Sequence, residues 1–423
     1  MKMYAGGMDW VAAGLNAQCA QMPGEGNSFL VILEISSSFS FDLLTSAVND
    51  CIKEKNLPLN GCWKRAWHLA PYWKYNESSG IIIDRKPLSD FVQDMTEYAN
   101  TPLPHQHGVS IRLFEAETHS VIAFKFSHLL FDGVGAEYFI RALLTNDKDG
   151  EFDRFHGNPS ANLNRWGTLF ASGQRINRFS RAISSEMKRK NEQTFKSSTH
   201  PSGFIVERFD YKQISTCIEA KYGMFSICAA LAGVAAKSFS EWKRELHPGV
   251  PHEVLLQISV NQRQRNDERS KIFFNQWSLI PTFFPVFLPE SDISNWILHA
   301  KKQMASAVEN SLCRDFENAN LPLRILPPSV MGKFVLTRFK RGAGDAMFSF
   351  ISSDIIPRQW MGNQIENVVH VPTVPISPGL GLFFTAYGNH LNLVISFQNE
   401  SEISDSAKKL QDIIAKNLES FYE

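Results

Sequence analysis

Ser127-His128-Leu129-Leu130-Phe131-Asp132-Gly133 is the stretch on which the fold turns. Upstream of it, Ser120 to Ser127 alternates, so Ile122, Phe124 and Phe126 share one face and His128 falls in the same register. Downstream the period changes. Ala136, Phe139, Ile140 and Leu143 follow at i, i+3, i+4 and i+7, the single apolar stripe of a helix. The spacing predicts a strand, a turn and a helix, with His128 where the strand ends. A junction of that kind can aim an imidazole into a cleft while both flanking elements hold it rigid. Asp132 is placed to cap the helix, and Gly133 permits a tight turn or a close backbone approach.

Working outward, the first half opens with a strand over 29–35 and a helix over about 42–53. Trp-rich irregular sequence (Trp63, Trp67, Trp73) leads to a short strand over 81–84, and a hairpin over 109–115 and 121–127 runs into the motif and its helix, which ends near Leu144. Residues 146–165 are rich in Asp, Gly and Asn and read as a surface connection. A long crossover helix is expected over 166–196, carrying Arg175, Arg178, Arg181, Lys188, Arg189 and Lys190 on a solvated face. The same basic face would also suit the phosphates of a nucleotide-like ligand or an acidic protein.

The second half is expected to begin with a strand over 204–211, a largely buried helix over 226–246 and a strand over 255–260 that runs into Asn261-Gln262-Arg263-Gln264-Arg265. A second hairpin, over 379–386 and 391–397, precedes a closing helix over about 402–418. The two hairpin-then-helix units are alike in order and length, which predicts two halves of similar fold side by side. Where the first unit has Ser127-His128 and its aspartate, the second has Ser396-Phe397-Gln398-Asn399. The chemistry is expected in one copy only.

Composition narrows the function classes. The chain has 423 residues, 43% of them hydrophobic and 12% aromatic, enough for two domains or two fused halves with large cores. Lys plus Arg equals Asp plus Glu at 43 each, so no long-range field would gather nucleic acid or an anionic membrane. The six cysteines form no CxxC pair and read as reduced, mostly buried thiols of a cytoplasmic protein. Asp9 and neighbouring polar residues interrupt any apolar core that a signal peptide would need, and no stretch reaches the length of a membrane span. A soluble, intracellular monomer is the expectation.

The motif resembles the His-x-x-x-Asp-Gly signature of the CoA-dependent acyltransferase superfamily. That superfamily includes chloramphenicol acetyltransferase, the BAHD and alcohol acyltransferases and the condensation domains of nonribosomal peptide synthetases. The resemblance implies an α/β fold of two related chloramphenicol-acetyltransferase-like halves, with mixed sheets, flanking helices and an active-site tunnel between them. In this chain the halves would be residues 1–165 and 201–423, joined by a crossover segment over 166–200. It implies that His128 deprotonates a hydroxyl or amine acceptor, which attacks a thioester directly in a ternary complex, with no covalent enzyme intermediate. It implies an acyl-CoA or a carrier-bound acyl-phosphopantetheine as co-substrate, no permanently bound cofactor or metal, and a small-molecule acceptor. By the same resemblance Asp132 is structural and pairs with an arginine. Asn261-Gln262-Arg263 matches an Asn-x-Arg stretch that supplies this partner, so Arg263 is assigned and Arg265 competes. Ser352 and Ser353 loosely match a segment lining the acceptor channel, as candidates for binding an oxyanion or the acceptor.

The chain also departs from family patterns. Ser127 stands where condensation domains carry a second histidine, and no Asp-Phe-Gly-Trp-Gly motif occurs around Trp360-Met361-Gly362. Phe274-Asn275 stands where BAHD members tend to show Gly-Asn. Two other readings compete: a catalytically inactive two-lobed binding or scaffold protein of the same fold, and a metal-dependent hydrolase using His105, His107 and His128.

Overall fold

A computed structural model describes residues 3–20, 22–53, 57–65, 71–75, 80–104, 106–152, 166–187, 201–248, 253–263, 270–286, 292–337, 344–375, 379–398 and 401–422. In chain order the first part contains β1 (Met3–Tyr4), α1 (Gly7–Cys19), β2 (Ser28–Ile35), α2 (Phe41–Lys53), β3 (Gly61–Arg65), β4 (Pro71–Tyr75) and β5 (Ile82–Pro87). It continues with α3 (Phe91–Asn100), β6 (Val109–Glu115), β7 (Ser120–Ser127) and α4 (Gly133–Leu144). Then follow α5 (Trp166–Glu186), β8 (Ser202–Asp210), α6 (Tyr211–Tyr222), α7 (Ile227–Leu246), β9 (Val254–Asn261) and β10 (Trp277–Phe284). The last elements are α8 (Ile293–Glu309), α9 (Leu312–Asn320), α10 (Pro328–Leu336), β11 (Ala346–Ser352), β12 (Gln359–Trp360), β13 (Asn363–Pro372), β14 (Leu380–Tyr387), β15 (His390–Gln398) and α11 (Ser401–Glu419).

Two six-stranded mixed sheets dominate, in the orders β12-β13-β2-β7-β6-β5 and β10-β9-β11-β14-β15-β8. The period-two alternation of β7 is what builds the first core. Phe126 lies opposite Phe29 and Val109, and Phe124 opposite Val31 and Ile111, so one face of three strands is continuously apolar. The stripe Ala136, Phe139, Ile140 and Leu143 of α4 closes onto that face. Phe131, in the turn between them, sits 5.0 Å from the Phe126 ring and 5.6 Å from that of Phe139, which pins the turn to the core. The other face of the sheet (Leu30, Ile32, Val121, Ala123) meets Phe204, Phe383 and Val394 from the second half, so one cluster spans both halves.

The two hairpin-helix units are present as β6-β7-α4 and β14-β15-α11, in equivalent places in the two sheets. The division is less linear than residue numbers suggest. β12 and β13, which lie in sequence among strands of the second sheet, pair instead with the edge of the first, β13 running antiparallel to β2 from Ile365 opposite Ile35 to Pro372 opposite Phe29. A boundary at residue 201 therefore leaves the first sheet without its last two strands. The strand expected to reach Tyr211 ends at Asp210, whose side chain accepts from the Gln213 amide at 2.9 Å and starts α6. The crossover helix is described as far as Glu186, where Arg178 and Arg181 are exposed and Arg175 is taken up by Asp315; Lys188, Arg189 and Lys190 lie outside the described residues. No single described helix is long and apolar enough to cross a membrane.

Candidate active site

His128 follows the last residue of β7, and its backbone is fixed from two sides. Its amide donates to the Asn27 carbonyl at 3.0 Å, and its carbonyl accepts from the Asn275 side chain at 2.9 Å. Asn275 is held in turn by Asp9, which accepts from the Asn275 amide at 2.7 Å and from Gly6 at 2.7 Å. Phe29 lies against the imidazole, ring centres 4.5 Å apart. The ring sits deep in the molecule yet keeps accessible surface, because it forms part of the wall of a cavity. Its Nδ1 is sealed and has no well-formed hydrogen bond among the described residues, although the Phe131 backbone and the Asn275 side chain lie beside the ring, and we take Nε2 as the nitrogen facing the cavity. Burial pushes its pKa down to about 4, with the Asp132 charge, the Phe131 backbone and the Asn275 side chain pulling the other way. The imidazole is therefore a neutral base over the whole physiological range.

Asp132 caps α4, accepting from the Gly135 amide at 2.7 Å, and also accepts from the Gln276 amide at 2.7 Å. Its main partner is Arg263. Nη1 donates to Oδ2 at 2.9 Å; Nη2 lies 2.8 Å from Oδ1 without aiming an N–H at it, so that second contact is chiefly Coulombic. Both carboxylate oxygens are thus occupied, although the residue borders the cavity. Arg265 lies outside the described residues, so its competing assignment has no described geometry. The glycines of Asp132-Gly133-Val134-Gly135 serve close approach, for neither has positive φ. A Cβ on Gly135 would stand 2.3 Å from the Ile272 carbonyl oxygen and 2.8 Å from Arg263 Nη2. One on Gly133 would stand 2.9 Å from Ile351 Cδ1 and 3.6 Å from Nδ1 of His370.

The cavity lies between the halves. Asn27, Phe29, His128, Gly133 and His370 come from the first sheet and its motif; Ser259, Asn261, Arg263, Trp277, Met347, Ile351 and Phe383 come from the second. Ser352 and Ser353 are not in its wall. Ser352 is exposed and bonds Asp354 at 2.5 Å, and Ser353 is buried and donates to Glu137, so the contacts expected of them with an oxyanion or acceptor are not set up here. His107 pairs through a backbone bridge with Asn60, His105 lies outside the described residues, and no three metal-ligating side chains converge among those described. Gln398, the second-unit counterpart of the motif, is buried and donates to the Val374 carbonyl at 2.7 Å; Asn399 lies outside the described residues.

Three residues at the site carried little signal in the sequence. Asp9 and Asn275 act through the His128 backbone, and Phe274 beside them has φ 71°, a conformation that favours glycine. The third, His370, has its Nε2 2.8 Å from Glu137 of α4, and both side chains are almost fully buried.

No family model and no curated protein matches the chain. Solved structures do. The chain is similar to a trichothecene 15-O-acetyltransferase from Fusarium sporotrichioides (TM-score 0.69, 13% identity, covering 97% of this chain and 94% of that one). It is also similar to the first condensation domain of the CDA synthetase (TM-score 0.65, 15% identity, 99% and 96% covered). A third likeness is to the starter condensation domain of rhizomide synthetase, solved in complex with C8-CoA (TM-score 0.65, 10% identity, 100% and 95% covered). The chain has the two-lobed α/β fold shared by this acetyltransferase and these condensation domains, over nearly its whole length.

Proposed function

We propose that this protein is an acyltransferase that moves an acyl group from a thioester to a hydroxyl or amine acceptor, with His128 as general base. The observation that carries the reading is the His128 imidazole itself: rigidly held through Asn27 and Asn275, and bordering a cavity between the halves of a chain with this fold. Its Nε2 takes the proton from the acceptor O–H or N–H as the oxygen or nitrogen attacks the thioester carbonyl. The tetrahedral intermediate then collapses, the C–S bond breaks, and the same imidazole returns the proton to the departing thiolate. The products are an ester or amide and a free thiol. No nucleophilic serine or cysteine is required when both substrates meet at one base.

Asp132 and Arg263 hold the turn that presents His128 and touch neither substrate. The donor is an acyl-CoA or a carrier-bound acyl-phosphopantetheine, and the C8-CoA bound to one structural neighbour supports the former. The acceptor is a small molecule entering an apolar channel walled by Phe29, Phe350, Phe383 and Phe384.

The test combines binding and turnover. Thermal shift against acyl-CoAs of graded chain length should reveal donor binding. Thiol release with alcohol and amine panels should then fall on the order of 10²–10⁴-fold in His128→Ala, with donor binding kept. An alanine variant as fast as the parent removes His128 from the mechanism. Donor binding without turnover on any acceptor favours a two-lobed binding protein.

A further inference from the structure

The cavity contains a second imidazole that the acyl-transfer step does not use. His370 sits on β13 opposite Val31 of β2, on the face that packs against α4. Glu137, one turn after Gly133 on that helix, accepts from its Nε2 at 2.8 Å and from the Ser353 hydroxyl through the same oxygen, Oε1. Glu137 is 1% exposed and His370 3%. A carboxylate at that depth is unfavourable unless fully partnered, and an apolar pair of the same volume would serve packing at least as well. The pair also fixes the chemistry of the imidazole. With Nε2 donating to Glu137, Nδ1 is left to accept a hydrogen bond when the ring is neutral and to donate one when it is charged. A Cβ on Gly133 would stand 3.6 Å from Nδ1, so the glycine leaves room at that edge of the ring, and His370 borders the cavity.

We propose that His370, oriented by Glu137, binds a second hydroxyl of the acceptor, so that the natural acceptor is a polyfunctional alcohol or amino alcohol, acylated at one end and anchored at the other. This rests on the acyl-transfer reading and narrows its substrate class. Two features select a hydroxyl. It can donate to a neutral Nδ1 or accept from a protonated one, so it fits the dyad in either state. The second feature is distance. His128 hangs from Asn27 and His370 lies level with Val31, four positions further along β2, about 13 Å in backbone terms at 3.3 Å per residue. His370 therefore addresses a part of the ligand away from the reacting atom. The surrounding wall is apolar (Phe29, Ile351, Phe384), so an acceptor lacking that hydroxyl leaves a buried polar edge unpaired, which is how a site rejects an analogue strongly.

The experiment uses matched probes, a series of straight-chain α,ω-diols and the mono-alcohols of the same length, with octanoyl-CoA as donor. In the wild type the diol of best-fitting length should exceed its mono-alcohol by on the order of 10-fold in kcat/KM. In the double variant Glu137→Leu with His370→Phe, which removes both partners so that no charge is stranded, that ratio should collapse to near one; a ratio that survives in a folded double variant overturns the proposal. Imidazole nitrogen NMR, with His370 assigned by its loss in the variant, supplies a readout free of turnover. The Nδ1 resonance should move on adding the diol and stay fixed with the mono-alcohol. A resonance indifferent to every diol overturns the proposal even if acyl transfer is observed. A responsive resonance with no thiol released from any acceptor sinks acyl transfer and leaves the hydroxyl site standing. Glu137 acts as a positioning residue. Glu137→Gln should shift the tautomer balance of His370 in the same spectra and lower the diol preference without abolishing the fold.

Discussion

Replacing Asp132 by alanine should unfold the protein more readily as well as inactivate it, and the structure sets the size of the effect. The carboxylate is 3% exposed and accepts from three donors at 2.7–2.9 Å: the Gly135 amide, the Gln276 amide and Arg263 Nη1. Its removal strands the Arg263 guanidinium, whose side chain is 6% exposed and would keep, among the described residues, the Lys271 carbonyl at 2.8 Å and Asn261 Oδ1 at 3.2 Å. Breaking a buried ion pair from one side costs about 3–5 kcal/mol. The lost helix cap is worth about 1 kcal/mol and overlaps with that figure. We expect about 4 kcal/mol for Asp132→Ala, a lowering of Tm of about 5 °C for a chain of this length. Arg263→Ala should cost about 3 kcal/mol, and the double variant should be less destabilised than the sum by about 1.5–3 kcal/mol, because the second substitution removes the charge that the first left alone. Urea unfolding of the four proteins, with activity measured alongside, gives the cycle. Costs below about 1 kcal/mol, or strict additivity, would show that the pair does not hold the turn.

Other outcomes follow from the same geometry. Because burial holds the His128 pKa near 4, the imidazole stays in its base form as pH falls from 7 to 5; the acid limb of kcat/KM should lie near pH 4. A limb at the 6.5 of free imidazole would mean a solvated ring. Gly135→Ala drives a methyl to within 2.3 Å of the Ile272 carbonyl oxygen and into Arg263, so it should destabilise by at least about 2 kcal/mol and reduce activity together. A variant as stable and active as the parent would remove the close-approach argument. Phe274→Gly relieves a φ of 71° but deletes a buried ring; the packing loss of about 3–5 kcal/mol exceeds the strain of about 1–2, so the melting temperature should fall.

What was legible in the sequence was whatever is encoded locally. Alternation in β7 and the i, i+3, i+4 stripe of α4 each lie within a dozen residues, and they located His128 and the cap at Asp132. The repeated hairpin-helix unit revealed two like halves for the same reason. Residues 262–379 stayed largely unread because their elements take their meaning from distant partners. β10 is buried along most of its length and carries Pro281 within the run, so no period stands out. β13 breaks its alternation at Glu366-Asn367-Val368-Val369, next to a register shift against β2, and carries no sign of which sheet it joins. The Glu137–His370 pair bridges 233 positions, and its only local marks are one acidic residue inside an apolar helix face and one histidine in Val-Val-His-Val. Ser353 looked like a candidate for the reacting centre by type and strand-end position, yet its hydroxyl is committed to Glu137.

The exchange of β12 and β13 into the first sheet has a consequence for how the chain is made. β2, Ser28-Phe29-Leu30-Val31-Ile32-Leu33-Glu34-Ile35, is finished early in synthesis, but the strand that covers its open side ends at Pro372. At about 5–20 residues per second, β2 waits on the order of 20–70 s on the ribosome as a bare, apolar edge with unpaired amides and carbonyls. The nascent first half can assemble its hairpin and α4 in that interval, but it cannot acquire His370 or close the cavity wall. Order of appearance thus separates the birth of the catalytic turn from the birth of the pocket it serves, and leaves a sticky intermediate for holdase chaperones to shield.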